Sequence, residues 1–342
     1  MQAARDPVAD LKRIAYLLEA MQEPSYRVRA FRGAAAALLE MGPDEVARLA
    51  AAGGLRGVSG IGEVTERTIL ESLRGEEPVY LRRLESTEGT PMEEGAAAVC
   101  GALRGDLHDH TLASDGGATI REMAETAIEI GHEYLVITDH SPRLTVANGL
   151  STERLMTQLD EIAMLNAELA PFRTLTGIEV DINEDGSLDQ SPEVLARLDV
   201  VVGSVHSELR MPERPMTRRM VTALADPNLD VLGHCTGRMK TGRRNRSPST
   251  FDADVVFAAA ARFDKAIEVN SRPERLDPPK RLLRLAVEAG CRVSINSDAH
   301  TLGQLSWLRN GCERAFLCGV TAEIVVNALG ADDLLAWTAS HA

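Results

Sequence analysis

The chain has 342 residues, of which 44% are apolar but only 4% aromatic, and carries a net charge of −14. That length allows two or three domains, with cores filled mainly by alanine, leucine and valine, and the charge excludes a surface that grips nucleic acid all over. No apolar run of about 18 residues occurs, so no membrane helix is expected.

The start of the chain lacks the apolar core of a signal peptide. Five cysteines, odd in number and without a C-x-x-C pair, predict free thiols and a reducing cytoplasm. Charge is unevenly spread: residues 1–85 carry a net −1 and the remainder −13. Any nucleic-acid contact therefore falls best on the near-neutral N-terminal segment.

Leu11, Ile14, Leu17 and Leu18 at helical spacing predict a helix over 6–22. Further helices follow over 26–39, 44–52 and 63–73, punctuated by Pro24, Gly42-Pro43 and Gly53-Gly54. Between the last two lies Leu55-Arg56-Gly57-Val58-Ser59-Gly60-Ile61-Gly62. Without side chains, Gly57, Gly60 and Gly62 let backbone amides approach a phosphate where a helix starts; a tight packed turn is the other reading. Arg29 and Arg32, with Arg27, either line a phosphate-facing side or form a solvated face. Residues 86–104 read as a linker.

From Gly105 onward apolar runs alternate with helical stretches. Strands are predicted at 105–107, 134–138, 175–178, 200–205, 231–232, 266–269 and 292–295, with helices over 120–130, 153–169, 217–224, 254–263 and 280–289. Seven such alternations predict an α/β fold with a parallel sheet or barrel.

Gly105-Asp106-Leu107-His108-Asp109-His110 brings two histidines to one side of an extended strand. Asp115 lies in a Ser-Asp-Gly-Gly loop that can fold back over them. The other strands end similarly: in His140, Glu179, His206, His234, Glu268 and Asn270, and Asp298 and His300. Six of the eight histidines thus sit at strand ends, where α/β barrels place their chemistry. Imidazole and carboxylate together suit zinc, manganese or iron.

On Gly-Asp-Leu-His-Asp-His-Thr, Ile-Thr-Asp-His-Ser-Pro and Glu-Val-Asp-Ile, the stretch 105–342 resembles the polymerase and histidinol phosphatase (PHP) family of metal-dependent phosphoesterases, within it the C-terminal domain of bacterial family X DNA polymerases. The resemblance implies a distorted (β/α)7 barrel and three divalent cations. It assigns His108, His110, Glu179 and Asp298 to a first ion, Glu179 as a bridge with His206 and His234 to a second, and Asp115, His140 and His300 to a third. Residues 1–85 resemble the small helix-hairpin-helix domain of the same polymerases, around Tyr-Arg-Val-Arg-Ala-Phe-Arg and Gly-Ile-Gly. The polymerase palm has no room in residues 86–104, so nucleotide polymerisation is excluded, and a single lysine (Lys12) in the N-terminal segment speaks against a Schiff-base lyase.

Paired cations lower the pKa of a water and stabilise the charge that develops in phosphoester hydrolysis, so a metal-bound water held by Glu179 is the expected nucleophile. Asp106, Asp139 and Asp181 are candidates to orient the imidazoles. After His234, five positive charges in nine residues offer Arg238, Arg243 and Arg244 for phosphate binding; Arg272 and Arg275 follow another strand end. Three functions fit: a hydrolase of DNA ends or damaged DNA, such as a 3′–5′ exonuclease, a 3′-end processing enzyme or an abasic-site nuclease; a small-molecule phosphatase of the histidinol phosphate type; and a DNA-binding scaffold with a structural metal site. The complete ligand set disfavours the third.

Overall fold

The computed structural model describes residues 5–87, 91–241 and 244–341; the side chains of Thr241 and Arg244 lie outside the description. It divides into two compact units, Met1–Pro91 and Met92–Ala342.

The first unit is all-helical: α1 (Pro7–Ala20), α2 (Ser25–Met41), α3 (Pro43–Ala52), α4 (Glu63–Leu73) and α5 (Val79–Ser86). Asp6 caps α1 by accepting from the Val8 amide. Leu11, Ile14, Leu17 and Leu18 are fully buried against Val28, Phe31, Leu38 and Ile69, which is what the 3.6-residue spacing required. Gly53 ends α3 in the left-handed region. Gly60 also has positive φ, and a Cβ there would press on the Gly33 carbonyl. That turn is therefore held by close backbone packing as well as by conformation. The sequence reading missed α5, a short helix whose buried residue is Leu81.

The second unit contains the seven expected strands, β1 (Gly105–Asp109), β2 (Tyr134–Ile137), β3 (Arg173–Asp181), β4 (Val200–Ser204), β5 (Val231–Leu232), β8 (Ala266–Asn270) and β9 (Arg292–Asn296). They form one parallel sheet in that order. Between β5 and β8 an unexpected antiparallel hairpin pairs β6 (Met239–Thr241) with β7 (Arg244–Arg246). Helices cover the strands outside, so strands such as β2 and β4 are buried throughout.

The sheet curls into a nearly closed barrel. β1 and β9 meet at a bridge, where the His110 amide donates to the Ala299 carbonyl at 2.8 Å. Below that point Asn327 stitches the seam: its amide donates to the carbonyls of Gly105 and Ile295 and accepts from the Ile295 N–H. The C-terminal helix Ala331–Ala339 packs Leu334 and Trp337 against the barrel strands, and the Trp337 indole donates to Asp264, which precedes β8. The opposite end, where the strands finish, is left for the site.

Residues 86–104 are not one linker. Residues Glu94–Ala102 form a helix packed on Leu308–Phe316 inside the second unit. Its alanine-rich sequence shows little amphipathic contrast, which is why it reads as a spacer.

Candidate metal centre

Glu179, two residues before the end of β3, is fully buried and lies at the middle of the cluster. Its Oε2 stands 2.8 Å from His140 Nδ1, 3.3 Å from His108 Nε2 and 3.6 Å from His110 Nε2. Its Oε1 stands 2.9 Å from His234 Nε2 and 3.3 Å from His206 Nε2. One carboxylate thus faces five imidazoles, three on one oxygen and two on the other. Asp298 Oδ1 lies 3.6 Å from His110 Nε2, and Asp115 Oδ1 lies 3.6 Å from His140 and 3.5 Å from His300. All nine side chains expected as ligands therefore converge on one end of the barrel.

The donor atoms fall into three overlapping groups, each with its ligand atoms within 4.8 Å of one another: His108, His110 and Glu179; His140, Glu179 and His206; and His110, Asp115, His140 and His300. The overlaps place His110, His140 and Glu179 each in two groups, and His234 and Asp298 in none. Several of these atoms have no hydrogen-bond partner although buried: His108 Nε2, both ring nitrogens of His110, His140 Nδ1, His234 Nδ1 and Glu179 Oε1. Orphaned buried polar atoms are costly and rare. Divalent cations would satisfy them, and the nitrogen and oxygen donors suit zinc, manganese or iron.

Burial would lower His108 and His206, but Glu268 and Glu179 raise the first well above its ordinary value and Glu179 and Asp181 raise the second to about 9, so a cation there displaces a proton. At three other side chains the local charges favour the ligating form directly. Burial alone would raise the Glu179 carboxyl, but His206, His108 and His140 outweigh it and hold it well below the usual range. Burial would likewise raise Asp298, but Arg272 and Arg275 keep it well below. His110 is pushed well down by burial, with His300 and His140 adding to the effect. The acids stay anionic and this imidazole stays neutral, which are the ligating forms.

Orientation comes from a second set of acids. Asp181 accepts from His206 Nδ1, as expected. Asp106 instead accepts from the Ser297 and His108 amides. Asp139 accepts from the Thr111 amide, the Thr111 and Ser114 hydroxyls and Gln158, fixing the loop that carries Asp115. Neither orients an imidazole directly, because each is saturated by nearer backbone and hydroxyl donors.

The role expected of them falls to Glu268, which the sequence reading noted at a strand end without giving it a task. Fully buried in β8, Glu268 accepts from His108 Nδ1 at 2.6 Å, the His234 amide at 2.6 Å and Asn296 Nδ2 at 2.9 Å. A carboxylate only accepts, so His108 Nδ1 carries the proton and Nε2 faces Glu179 as a free donor atom. A Glu268→Gln change is expected to lower metal affinity by roughly 10- to 100-fold, read from a chelator competition titration; unchanged affinity would remove Glu268 from this role.

The arginines divide differently from the sequence expectation. Arg238 is buried, and its guanidinium donates to the carbonyls of Arg275 and Leu276. It holds a loop. Arg243 lies outside the described residues, as does the side chain of Arg244. Arg272 places Nη1 2.9 Å from His300 Nδ1 and 3.4 Å from Asp298 Oδ1, with its guanidinium over the Trp307 ring. Arg275 brings Nε to 3.2 Å from Asp298 Oδ2. Arg275 Nε and Nη1 and Arg272 Nε are buried and make no hydrogen bond.

In the first unit, the Gly62 N–H binds the Thr65 hydroxyl, and Glu63 and Glu66 occupy the first turn of α4. Both features compete with an anion at that helix start. Gly57 closes a single helical turn over Leu55–Gly57. Arg32 pairs with Glu19 at 2.7 Å, and exposed Arg29 donates to Ser25.

Residues 106–272 match the PHP domain family. The chain carries a PHP domain. It is 42% identical over 237 residues to the DNA polymerase/3′-5′ exonuclease PolX of Bacillus subtilis, covering 69% of this chain and 41% of that protein. The chain thus spans less than half the length of that relative. A Thermoanaerobacter protein (strain X514) described as a probable phosphatase is 26% identical over 233 residues, 65% of this chain and 89% of that one. Among solved structures, histidinol phosphate phosphatase of Lactococcus lactis, complexed with zinc, L-histidinol and phosphate, aligns with 18% identity and a TM-score of 0.45, covering 64% of this chain and 94% of that one. The family match thus falls on the barrel unit, from β1 to the loop after β8. No helix among the described residues is long and apolar enough to cross a membrane.

Proposed function

We propose that this PHP protein is a metal-dependent hydrolase of DNA phosphoesters, acting at ends or damaged sites as a 3′–5′ exonuclease, end-processing enzyme or abasic-site nuclease in the cytoplasm. The observation that carries the hydrolytic part is the Glu179 carboxylate facing five imidazoles beside two arginines with unpaired donors. Bound divalent cations would supply Lewis acidity toward a phosphate oxygen and lower the pKa of a water. His108, His110, Glu179 and Asp298 would hold one, Glu179, His206 and His234 a second, and Asp115, His140 and His300 a third. Arg272 and Arg275 orient the phosphate through N–H groups that make no hydrogen bond within the protein, where the guanidinium fork matches two oxygens. Glu268 and Asp181 keep His108 and His206 in the tautomers the site needs.

The likeness to a 3′-5′ exonuclease supports DNA as the substrate, with the helical unit adding contacts to the phosphate backbone through Arg29 and the Gly57–Gly62 turn. A second reading, a phosphatase of small monoesters such as histidinol phosphate, is favoured by the −13 charge of the chain beyond residue 85 and by the occupied Gly62 N–H. Removing Met1–Pro91 separates them. On the DNA reading, cleavage of a labelled duplex at physiological salt falls by about tenfold or more, while p-nitrophenyl phosphate hydrolysis is unchanged. A truncated protein that cuts DNA as well as the full chain removes the helical unit from substrate binding. Full-chain protein that hydrolyses histidinol phosphate and leaves every DNA end intact establishes the second reading.

A further inference from the structure

Outside the metal centre, two of the five cysteines face each other. Cys100 lies on the helix Glu94–Ala102 and Cys312 on Leu308–Phe316, and the two helices pack within one apolar cluster. At one end the Phe316 ring lies against the Gly95 backbone, so that a Cβ on Gly95 would fall 2.1 Å from the ring. Cys100 lies five residues after Gly95, and Cys312 four residues before Phe316. An antiparallel pair in that register brings the two thiols near each other, and both pack in the same apolar cluster. Cys100 is half-buried and reachable from solvent; Cys312 is fully buried. The remaining three thiols have other partners: Cys235 faces Asp277, Cys291 the Phe257 carbonyl and Cys318 the Lys280 carbonyl.

The second helix braces the arginine loop. A Cβ on Gly311 would strike the Ser271 hydroxyl, Asn310 donates to the Ser271 carbonyl, and Arg314 donates to the Pro278 carbonyl. Arg272 and Arg275 lie between those two anchor points.

We propose that Cys100 and Cys312 form a reversible disulfide that ties the redox state of the surroundings to the loop carrying Arg272 and Arg275. The neighbouring Cys312 thiol, aided by Arg309 against the opposing effect of burial, lowers the Cys100 thiol from its ordinary value. Thiolate character and access mark Cys100 as the attacking sulfur. With oxidised glutathione as the oxidant, Cys100 sulfur attacks the disulfide and releases one glutathione thiol. Cys312 then loses its proton, attacks Cys100 Sγ and releases the second. The protein loses two electrons and two protons, and both go to glutathione.

The test treats the full chain with oxidised glutathione and maps its peptides by mass spectrometry without reduction. The expected product is one linked pair of peptides containing Cys100 and Cys312, two hydrogens lighter than the sum of the separate peptides and separated again by dithiothreitol. Cys100→Ser abolishes it, as does Cys312→Ala if that buried position tolerates the change. Oxidation is expected to change p-nitrophenyl phosphate hydrolysis by roughly twofold or more in the parent protein and not in Cys100→Ser, whose reduced activity matches the parent. A stable glutathione adduct on Cys100 with Cys312 free, or a link to another cysteine or another chain, overturns the pairing. A Cys100–Cys312 link with equal activity responses in parent and Cys100→Ser overturns the coupling to the loop.

Discussion

Glu179→Gln lowers phosphoester hydrolysis by roughly a thousandfold while leaving the barrel folded, because the carboxylate that would hold the cations loses a charge worth several kcal/mol without loss of volume. The Glu179 oxygens lie between 2.8 and 3.6 Å from ring nitrogens of His108, His110, His140, His206 and His234. An amide replaces one oxygen with N–H donors, which compete for the imidazole lone pairs that must face a cation. The remaining oxygen cannot serve both sides. Hydrolysis of p-nitrophenyl phosphate, metal-to-protein ratio and melting temperature, measured together, check this. Loss of activity and of bound metal with a normal melting transition is the expected pattern; full activity in the variant removes the bridge from the reaction.

Arg275→Ala lowers kcat/KM for phosphoester substrates by roughly a hundredfold, the effect of removing about 2–3 kcal/mol of charge-assisted hydrogen bonding. Arg275 Nη1 is buried without a hydrogen-bond partner, and Arg275 Nε lies beside Asp298. On the proposed reading a substrate phosphate takes the Nη1 group, which has no hydrogen-bond partner among the described residues. Lysine cannot reproduce the planar fork, so Arg275→Lys recovers only part of the loss. Arg272 shares Asp298 with Arg275, so the double variant loses less than the sum of the single ones. Steady-state kinetics on one monoester across the three variants measure this. An Arg275→Ala protein with parental kcat/KM would mean that the guanidinium serves only to balance Asp298.

The barrel was legible because buried parallel strands read as short apolar runs and because the chemistry falls where those runs stop. His108, Glu179 and His206 follow such a run directly, and His140, His234 and Asp298 within three residues of one, so the strand pattern alone points to one end of the barrel. What was less legible depended on neighbours distant in sequence. Glu268 looks like an ordinary strand residue until His108, 160 positions earlier, points Nδ1 at it. Asp106 and Asp139 have the right position for orienting histidines but are taken by Ser297, Thr111, Ser114 and Gln158. Arg238 belongs to a basic run after a ligand position, yet two backbone carbonyls capture its guanidinium. Local pattern states which side chains are available; the fold decides which groups reach them first.

Crystals grown with manganese or zinc, examined by anomalous X-ray scattering, test the central claim most directly. The account expects peaks beside Glu179 and among the groups formed by His108, His110 and Asp298, by His206 and His234, and by Asp115, His140 and His300. Fully loaded, well-diffracting crystals with no anomalous signal at any of these side chains would contradict it.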